Sequence, residues 1–236
     1  MSNELEFWAL ALRTHWGLDA KLERLDGEYD LNFMVRATNG RDYVLKVMRA
    51  GCEAGLVDMQ IKALNHIADA APGLPFPKVI AALNDASLPE IEDQTGAPRL
   101  VWLLERLPGI CYAKSAPKPL DLILKLGRVL GATARALKGF QHDSLERDFK
   151  WNLTQAGWIT SELSVIADPA RRDLLAKISE AFSGAQEALS GLPKQAIHND
   201  ANDYNILIDG DLGEARQVTG VIDLGDMCVA PRVCDL

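Results

Sequence analysis

The sequence has little of what marks a secreted, membrane-bound or metal-clustered protein. Its four cysteines form no Cys-x-x-Cys pair, and only His66 lies near Cys52 in the sequence. Reduced thiols are therefore a better interpretation than a zinc site or a disulfide framework. Residues 1–16 carry acidic side chains where a signal peptide has basic ones, and no apolar run approaches the roughly 18 residues that span a bilayer. We expect a soluble protein of the cytoplasm.

Positive charge is also scarce. The chain has 25 Lys and Arg against 33 Asp and Glu, which gives a net charge of -8. This balance disfavours non-specific binding to nucleic acid or to an anionic membrane, because both would be repelled at long range. With 236 residues, of which 48% are apolar, the chain is long enough for one large or two small globular domains.

The apolar pattern predicts a small antiparallel sheet with one inserted helix, followed by a mainly helical region that holds a polar hairpin. The dipeptide Asn39-Gly40 lies between two alternating runs and predicts a two-residue hairpin turn with both residues at positive φ. The polar segment 85–98 is interpreted as a solvated connection between strands. Predicted helices are 3–16, 54–69, a stretch from about 119, 153–166 and 170–190; predicted strands lie within 20–47, 78–83, 99–107 and 196–227.

The most informative segment is the polar turn that begins at His198. Its histidine, Asp200 and Asn205 have the spacing H-x-D-x-x-x-x-N, which suits phosphoryl transfer. In such a turn the aspartate accepts the proton of the substrate hydroxyl and the asparagine holds a metal ion on the phosphates. Taken alone, His198 is better interpreted as a hydrogen-bonded structural residue than as a catalyst.

Two further residues complete the pattern. Asp223 leaves an apolar strand in the segment Val-Ile-Asp-Leu-Gly, and a carboxylate there suits Mg²⁺. Lys46 lies within the apolar strand Tyr-Val-Leu-Lys-Val, where nucleotide phosphates would give it a partner. Each residue has an ordinary alternative, since Lys46 could be an edge-strand lysine and Asp223 a turn cap. Their joint occurrence in this order favours the chemical interpretation.

These segments resemble the aminoglycoside phosphotransferase and choline kinase family, and more closely its hydroxylysine kinase and homoserine kinase branches. The likeness to the family rests on HNDANDYNILI and VIDLGDM. The likeness to these branches rests on LDGEYDLNFMV, VLKVM, DMQIKALNHIA, LVWLLERLPG and FKWNLTQA, which follow one another in that order. It implies an α+β, protein-kinase-like fold of two lobes: a nucleotide-binding lobe over 1–108 and a helical catalytic lobe over 109–236 that lacks its carboxy-terminal helices. It also implies a small-molecule kinase that uses Mg²⁺ and ATP or GTP.

The resemblance assigns a role to each matching residue. Asp200 would be the catalytic base, or the group that orients the hydroxyl. Asn205 and Asp223 would hold Mg²⁺. The nucleotide would be bound by the phosphate loop 26–32, the strand lysine and the hinge 104–107, and the residues implied are Gly27, Asn32, Lys46, Gln60, Glu105 and Leu107.

Three departures from the family pattern matter. The phosphate loop has Gly27 as its one glycine, so Asn32 or backbone amides must compensate. Gln60 stands where the family usually has the glutamate that holds the strand lysine, and Asp58 is the nearest alternative, although it faces another side of the helix. The family normally continues past Asp235-Leu236 into helices that line the substrate pocket.

Sequence alone therefore favours a kinase that acts on a small amino alcohol or hydroxy amino acid, hydroxylysine-like first and homoserine-like second. A catalytically weak or inactive nucleotide-binding module is the alternative, as is one domain of a longer, aminotransferase-fused protein. The identity of the acceptor, the choice of ATP or GTP, and the oligomeric state stay open.

Overall fold

The computed structural model describes residues 2–27, 29–209 and 216–235. Five α-helices and eleven strands are found in these ranges, together with short 3₁₀ turns. The helices are α1 (Ser2–Trp16), α2 (Ala54–Ala70), α3 (Leu120–Ala136), α4 (Trp158–Glu162) and α5 (Pro169–Ser190). The strands are β1 (Ala20–Leu25), β2 (Leu31–Ala37), β3 (Asp42–Val47), β4 (Val79–Ile80), β5 (Glu90–Glu92), β6 (Pro98–Glu105), β7 (Ile110–Cys111), β8 (Lys194–Ile197), β9 (Ile206–Ile208), β10 (Val218–Val221) and β11 (Cys228–Pro231).

The largest sheet is antiparallel and has the order β1-β2-β3-β6-β4, with β5 paired to β6 as well. Strand alternation divides its side chains between two apolar clusters. One face of β3 presents Tyr43, Leu45 and Val47, which are buried with Trp8 and Leu12 of α1. The other face packs with α2 and with the later strands, so this face is the one that meets the polar hairpin.

The turn between β2 and β3 differs from the predicted two-residue hairpin. Gly40 has a φ of +79°, but Asn39 is not among the residues with positive φ. Asn39 instead uses its side chain, whose Oδ1 accepts the Arg41 N–H at 3.0 Å. The Ala37 N–H donates to Arg41 O at 3.1 Å, so the loop is longer than predicted. An asparagine that caps a turn through its side chain does not need a left-handed backbone.

The predicted solvated connection 85–98 was wrong in one respect, because it contains strand β5. Ile91 is buried among the residues that pack on α1, and its segment pairs with β6. Burial of this one side chain stabilises the pairing. Asp93 then closes the hairpin, since its Oδ1 accepts the N–H groups of Thr95 at 2.8 Å and Ala97 at 3.2 Å. A single buried residue in a polar segment is too weak a periodic signal to predict a strand.

The predicted helices at 3–16, 54–69, from 119 and over 170–190 are confirmed as α1, α2, α3 and α5. Segment 153–166 is broken into the 3₁₀ turn Leu153–Gln155, α4 and the 3₁₀ turn Leu163–Val165.

The three smaller pairings join β10 to β9, β9 to β7 and β11 to β8. Within the described ranges, none of the helices has the length and apolarity needed to cross a membrane.

Candidate functional site

A cavity of about 410 Å³ lies between the large sheet, α2 and the hairpin that carries β9 and β10. Most of the residues nominated from sequence line its wall. These are Asn32, Lys46, Gln60, Glu105, Leu107, Asn205 and Asp223. Gly27 and Asp200 lie outside the wall, although each contacts a residue that belongs to it.

Two neighbouring rows of side chains on the sheet give this cavity a polar end and an apolar end. Asn32, Lys46 and Trp102 lie opposite one another on β2, β3 and β6, and so form a polar row across the sheet. The next row on the same face consists of Met34, Val44 and Leu104, which are apolar. Such a division suits a ligand with a flat apolar group at one end and negative charge at the other.

Lys46 is the cation of the polar end. Its side chain is only 15% exposed, and its Nζ lies 3.8 Å from Asp223 Oδ2. The same Nζ lies 5.5 Å from the centroid of the Trp102 ring. The predicted lysine and the predicted metal ligand are therefore neighbours, although one is on β3 and the other follows β10.

His198 is buried and organises the polar turn through both ring nitrogens. Its Nδ1 accepts the Asp200 N–H at 3.3 Å, so its Nε2 carries the proton and donates to Ile222 O at 3.1 Å. This arrangement agrees with the structural interpretation of His198. It also ties the polar turn to the segment that carries Asp223.

The turn brings Asp200 and Asn205 into direct contact. Asn205 Nδ2 donates to Asp200 Oδ2 at 2.7 Å and to Asp200 O at 2.9 Å. Asn202 Nδ2 donates to the other carboxylate oxygen at 2.6 Å. Both oxygens of Asp200 are thus held by amides, which fixes the orientation of the carboxylate.

Asp235 holds the start of this turn through two backbone hydrogen bonds, and it is not among the residues selected from the sequence. Its Oδ1 accepts the Asn199 N–H at 2.7 Å, and its Oδ2 accepts the His198 N–H at 3.4 Å. Asn199 has a φ of +67°, a conformation that costs energy unless it is held in place. Burial raises the pKa of Asp235. No sequence motif marks this role, because the contact spans 36 residues.

Asp223 and Asp226 form a second acidic turn beside the cavity. Asp223 also has a positive φ, of 63°, and its side chain is half exposed. Burial raises the pKa of Asp226, and the nearby carboxylates of Asp200 and Asp223 raise it further. Arg147 holds the turn by donating from its Nη2 to Gly225 O at 2.7 Å.

These donors fit Mg²⁺ better than a metal that needs a full protein cage. Within the ranges that the structure describes, no group of three or more His, Cys, Asp or Glu side chains is arranged to hold a metal ion. Mg²⁺ usually takes one or two carboxylates and completes its shell with phosphate oxygens and water. Asp223 and Asn205 both line the cavity, and the mutual repulsion around Asp226 is of the kind that a cation relieves.

Neither candidate on α2 forms an ion pair with Lys46. Gln60 lines the cavity, but its Nε2 donates to Leu56 O at 3.2 Å. Asp58 is engaged elsewhere, with Lys62 Nζ at 2.6 Å and His142 Nε2 at 3.1 Å. The hydrogen bond to Lys62 is the main reason that the pKa of Asp58 is lowered.

The phosphate-loop segment 26–32 is described except for Glu28, which lies outside the described residues. A Cβ on Gly27 would lie 2.6 Å from Asn32 Nδ2 and 2.7 Å from Asp30 O, so the close approach of these groups requires glycine. Asn32 Nδ2 lies 3.5 Å from Asp26 O. Its Oδ1 is buried and has no hydrogen-bond partner in the described part of the chain.

The predicted hinge 104–107 consists of the last two residues of β6 and the two residues that follow, at the apolar end of the cavity. The Glu105 N–H donates to Lys78 O at 2.8 Å, and the Arg106 N–H donates to Asp42 O at 3.2 Å. Both donors are therefore committed within the protein. A nucleobase in this cavity would have to use other groups of Glu105 and Leu107, two residues that line the wall.

Comparisons with known proteins agree with this geometry. The model of the phosphotransferase enzyme family matches residues 21–236. A curated hydroxylysine kinase of Danio rerio is 27% identical over 223 residues, which are 90% of this chain and 62% of that protein. This chain therefore spans less than two thirds of the length of that relative.

Solved structures with low identity share the fold. An amicoumacin kinase in complex with AMP-PNP and Ca²⁺ has a TM-score of 0.65 at 16% identity. The match covers 91% of this chain and 61% of the amicoumacin kinase chain. A GDP complex of an aminoglycoside 2'-phosphotransferase has a TM-score of 0.66 at 19% identity. This match covers 91% of this chain and 69% of the phosphotransferase chain. These likenesses confirm the predicted α+β, protein-kinase-like fold.

Proposed function

This chain belongs to the phosphotransferase enzyme family, and from that membership we propose that it transfers the γ-phosphate of a nucleoside triphosphate to the hydroxyl of a small amino alcohol or hydroxy amino acid. The observation that carries the proposal is the convergence of Lys46, Asn205 and Asp223 on the cavity wall, with Asp200 in contact with Asn205. Lys46 meets Asp223, and Asp200 meets Asn205. Lys46 is far in the sequence from the turn that carries Asp200 and Asn205 and from Asp223, yet each of the four has the chemistry that phosphoryl transfer uses.

The nucleotide would lie along the two rows of side chains on the sheet. Its base would contact Met34, Val44 and Leu104, and its phosphates would reach Lys46. Lys46 is withdrawn from water, so its attraction for phosphate is screened less than that of a surface lysine. ATP and GTP are both compatible with this arrangement, because the hinge would recognise the base through backbone groups.

Asp200 would act on the acceptor. The acceptor oxygen bonds to the γ-phosphorus while the bond from that phosphorus to the bridging oxygen breaks, and the hydroxyl proton passes to Asp200. Asn202 and Asn205 hold the carboxylate so that it faces one direction before the acceptor arrives. Orientation of this kind lowers the entropic part of the barrier.

Asn205 and Asp223 would hold Mg²⁺, whose charge offsets that of the phosphates. Asp235 and His198 keep these ligands in place, since Asp235 fixes the start of the turn and His198 ties it to Ile222 beside Asp223. The site would therefore be preorganised by two residues, one buried and one partly buried, that touch neither substrate nor metal.

We propose a hydroxylysine-like acceptor first and a homoserine-like acceptor second. The likeness to a hydroxylysine kinase supports this order, at 27% identity over 90% of the chain. The test is a screen of amino alcohols and hydroxy amino acids with purified protein, Mg²⁺ and either ATP or GTP. Release of nucleoside diphosphate that depends on the acceptor would identify the substrate class.

The matched pair of variants for this screen is Asp200→Asn and Asp203→Asn. Both remove one carboxylate from the same turn, but Asp203 is exposed and pairs with Lys118 at 3.2 Å. We expect Asp200→Asn to lower turnover by about 100-fold or more, whereas Asp203→Asn should stay within about threefold of the native protein. Equal turnover in Asp200→Asn and the native protein would sink the assignment.

A nucleotide-binding module without catalysis is the second candidate. It is favoured by Gln60, because a neutral amide committed to Leu56 O does not supply the carboxylate that usually holds the strand lysine. MgATP would then raise the melting temperature, but no acceptor in the screen would stimulate nucleotide hydrolysis or transfer.

A further inference from the structure

Lys46 has two partners among the described residues, and neither belongs to α2. Its Nζ lies 3.8 Å from Asp223 Oδ2 and 5.5 Å from the centroid of the Trp102 ring. Because only 15% of the side chain is exposed, water contributes little to its position. A lysine in this setting depends on fixed neighbours to aim its ammonium group into the cavity.

Asp223 is a poor permanent anchor for this lysine. The 3.8 Å separation is too long for a hydrogen bond, and the Asp223 side chain is half exposed. Its carboxylate is also the group proposed to bind the divalent cation, and a carboxylate that binds a cation has less negative charge to offer a lysine. The anchor that persists in the nucleotide-bound protein has to come from another residue.

Helix α2 does not supply that anchor either. Gln60 faces the cavity, but it is neutral and its Nε2 donates to Leu56 O. Asp58 is the nearest carboxylate on the helix, and it is held by Lys62 and His142. The absence of a carboxylate leaves the positive charge of Lys46 without a counter-charge from this side.

Trp102 is the partner that no ligand displaces. It lies directly opposite Lys46 across the β3–β6 ladder, where side chains on one face are in contact. Its side chain is 2% exposed, so the ring is fixed by the core. Its Nε1 is buried and has no hydrogen-bond partner in the described part of the chain. Core packing alone would be better served by an apolar residue that leaves no N–H unpaired.

We propose that the indole face of Trp102 is the element that positions Lys46, in place of a carboxylate from α2. The proposal rests on the proposed function, in which Lys46 binds nucleotide phosphates. A ring face attracts an ammonium group within about 6 Å of its centroid, and more strongly where water is excluded. A neutral ring also leaves the whole charge of Lys46 available to phosphate. Trp102 is therefore a positioning residue that touches Lys46 and not the reacting atoms.

The experiment measures binding of MgADP and of adenosine by calorimetry, since only MgADP contacts Lys46 through phosphate. Trp102→Phe keeps a ring face and should stay within about twofold of the native affinity for MgADP. Trp102→Met keeps an apolar side chain without a ring, and should lose about fivefold to tenfold for MgADP and nothing for adenosine. Leu103→Met is the matched control, because it changes the adjacent buried residue on the opposite face of β6.

A second measurement avoids any change of the core. Fluorinated tryptophan weakens the ring face and keeps its shape, and incorporation at all five tryptophans should lower the affinity for MgADP. The same incorporation in Trp102→Phe should have no effect, which separates Trp102 from Trp158, the ring beneath Lys150.

Native affinity in Trp102→Met, an equal loss in Trp102→Phe, or a fluorination effect that persists in Trp102→Phe would each overturn the proposal. If the native protein binds neither MgADP nor MgATP, the proposed function fails together with it. If the native protein binds both and Trp102→Met binds them equally well, the role of Trp102 alone is refuted.

Discussion

At the scale of single residues, the partly buried carboxylate of Asp235 has the clearest consequence. It accepts the N–H groups of His198 and Asn199, and the second of these residues has a positive φ. Asp235→Asn replaces one acceptor oxygen by a donor, so one backbone N–H loses its partner. We expect a loss of about 1–3 kcal/mol in the free energy of unfolding. Urea denaturation measures this change.

Turnover separates this role from a purely structural one. Because the turn also carries Asp200, kcat should fall further in Asp235→Asn than the affinity for MgATP does. Asp173→Asn, on the exposed surface of α5, should change neither quantity. Native stability and native kcat in Asp235→Asn would show that the two hydrogen bonds do not hold the turn.

The raised pKa of Asp226 predicts that the stability of the folded protein depends on pH. Burial and the carboxylates of Asp200 and Asp223 raise its pKa in the folded protein. The native state therefore binds the proton more tightly than the unfolded state, so stability is lost as the pH rises from the ordinary carboxyl range through the raised pKa. Asp226→Asn removes this loss and should raise Tm by a few degrees at pH 7 in EDTA.

The scan that checks this prediction compares Tm from pH 4 to pH 8 in the native protein and in Asp226→Asn. The difference between them should grow with pH, and Mg²⁺ should reduce it by offsetting the same repulsion. A lower Tm in Asp226→Asn with an unchanged pH slope would mean that Asp226 stabilises the turn through Arg147 instead.

Sequence could suggest the residues with candidate roles in phosphoryl transfer but not those that hold them in place. Lys46, Asp200, Asn205 and Asp223 stand in short patterns whose spacing follows from the chemistry, and the structure places them in two contacting pairs. Asp235 and Trp102 act across long sequence distances and have no local pattern. Contacts of this kind depend on the completed fold, so they could not be read from the order of residues alone.

At the scale of elements, the segment after β6 depends on a glycine. Gly109 has a φ of +110°, and a Cβ there would collide with Ile208 O of β9 and with Thr219 Oγ1 of β10. Its backbone leads into β7, which pairs with β9. Gly109→Ala should therefore lower the free energy of unfolding by about 2–4 kcal/mol. It should also weaken MgATP binding, because Gly109 lines the cavity.

Gly127→Ala provides the matched control for this substitution. Gly127 lies within α3 and a Cβ there would meet nothing within 4 Å, so alanine should stabilise the helix by up to about 1 kcal/mol. Denaturant unfolding of both variants tests the difference. Similar stabilities for the two variants would contradict the close approach of Gly109 to β9.

The elements themselves were predictable where their periodicity was long. Helices α1, α2, α3 and α5 each have at least four turns, and their apolar residues recur at helical spacing. Strand β5 was missed because it has three residues and one buried side chain. The turn at Asn39 was mispredicted because its asparagine caps the loop by its side chain.

At the scale of the whole molecule, the boundary at residue 108 stays a prediction. The pairing of Ile110–Cys111 with β9 supports this boundary. The chain leaves the large sheet at the end of β6 and joins a different sheet shortly after residue 108. The apolar cluster that contains Trp102 and Leu104 also contains Ile206 and Val221, so the two regions share a core around the cavity. Ligand binding should therefore stabilise both regions together.

The exposed apolar side chains of α5 predict that the molecule self-associates. Helix α5 has 22 residues and none of them is buried; Leu174 and Ile178 are 59% and 55% exposed. Changing both to lysine should leave Tm within about 2 °C of the native value and reduce self-association, because these side chains contribute little to the core. Light scattering and thermal unfolding measure the two effects.

Leu122→Lys, at a fully buried position in α3, is the contrasting variant and should lower Tm strongly or prevent folding. If the double lysine variant of α5 unfolds as readily as Leu122→Lys, the face of α5 is part of the core.

The central claim is that Asp200 accepts the proton of an acceptor hydroxyl while Lys46, Asn205 and Asp223 serve the phosphates. The most direct measurement is mass spectrometry of the acceptor after incubation with Mg²⁺ and ATP, together with calorimetry of MgATP binding, in the native protein and in Asp200→Asn. We predict a phosphorylated hydroxyl in the native reaction, formation of that product at least about 100-fold slower in Asp200→Asn, and MgATP affinities within about threefold of each other. Phosphorylated acceptor at the native rate in Asp200→Asn would contradict the account.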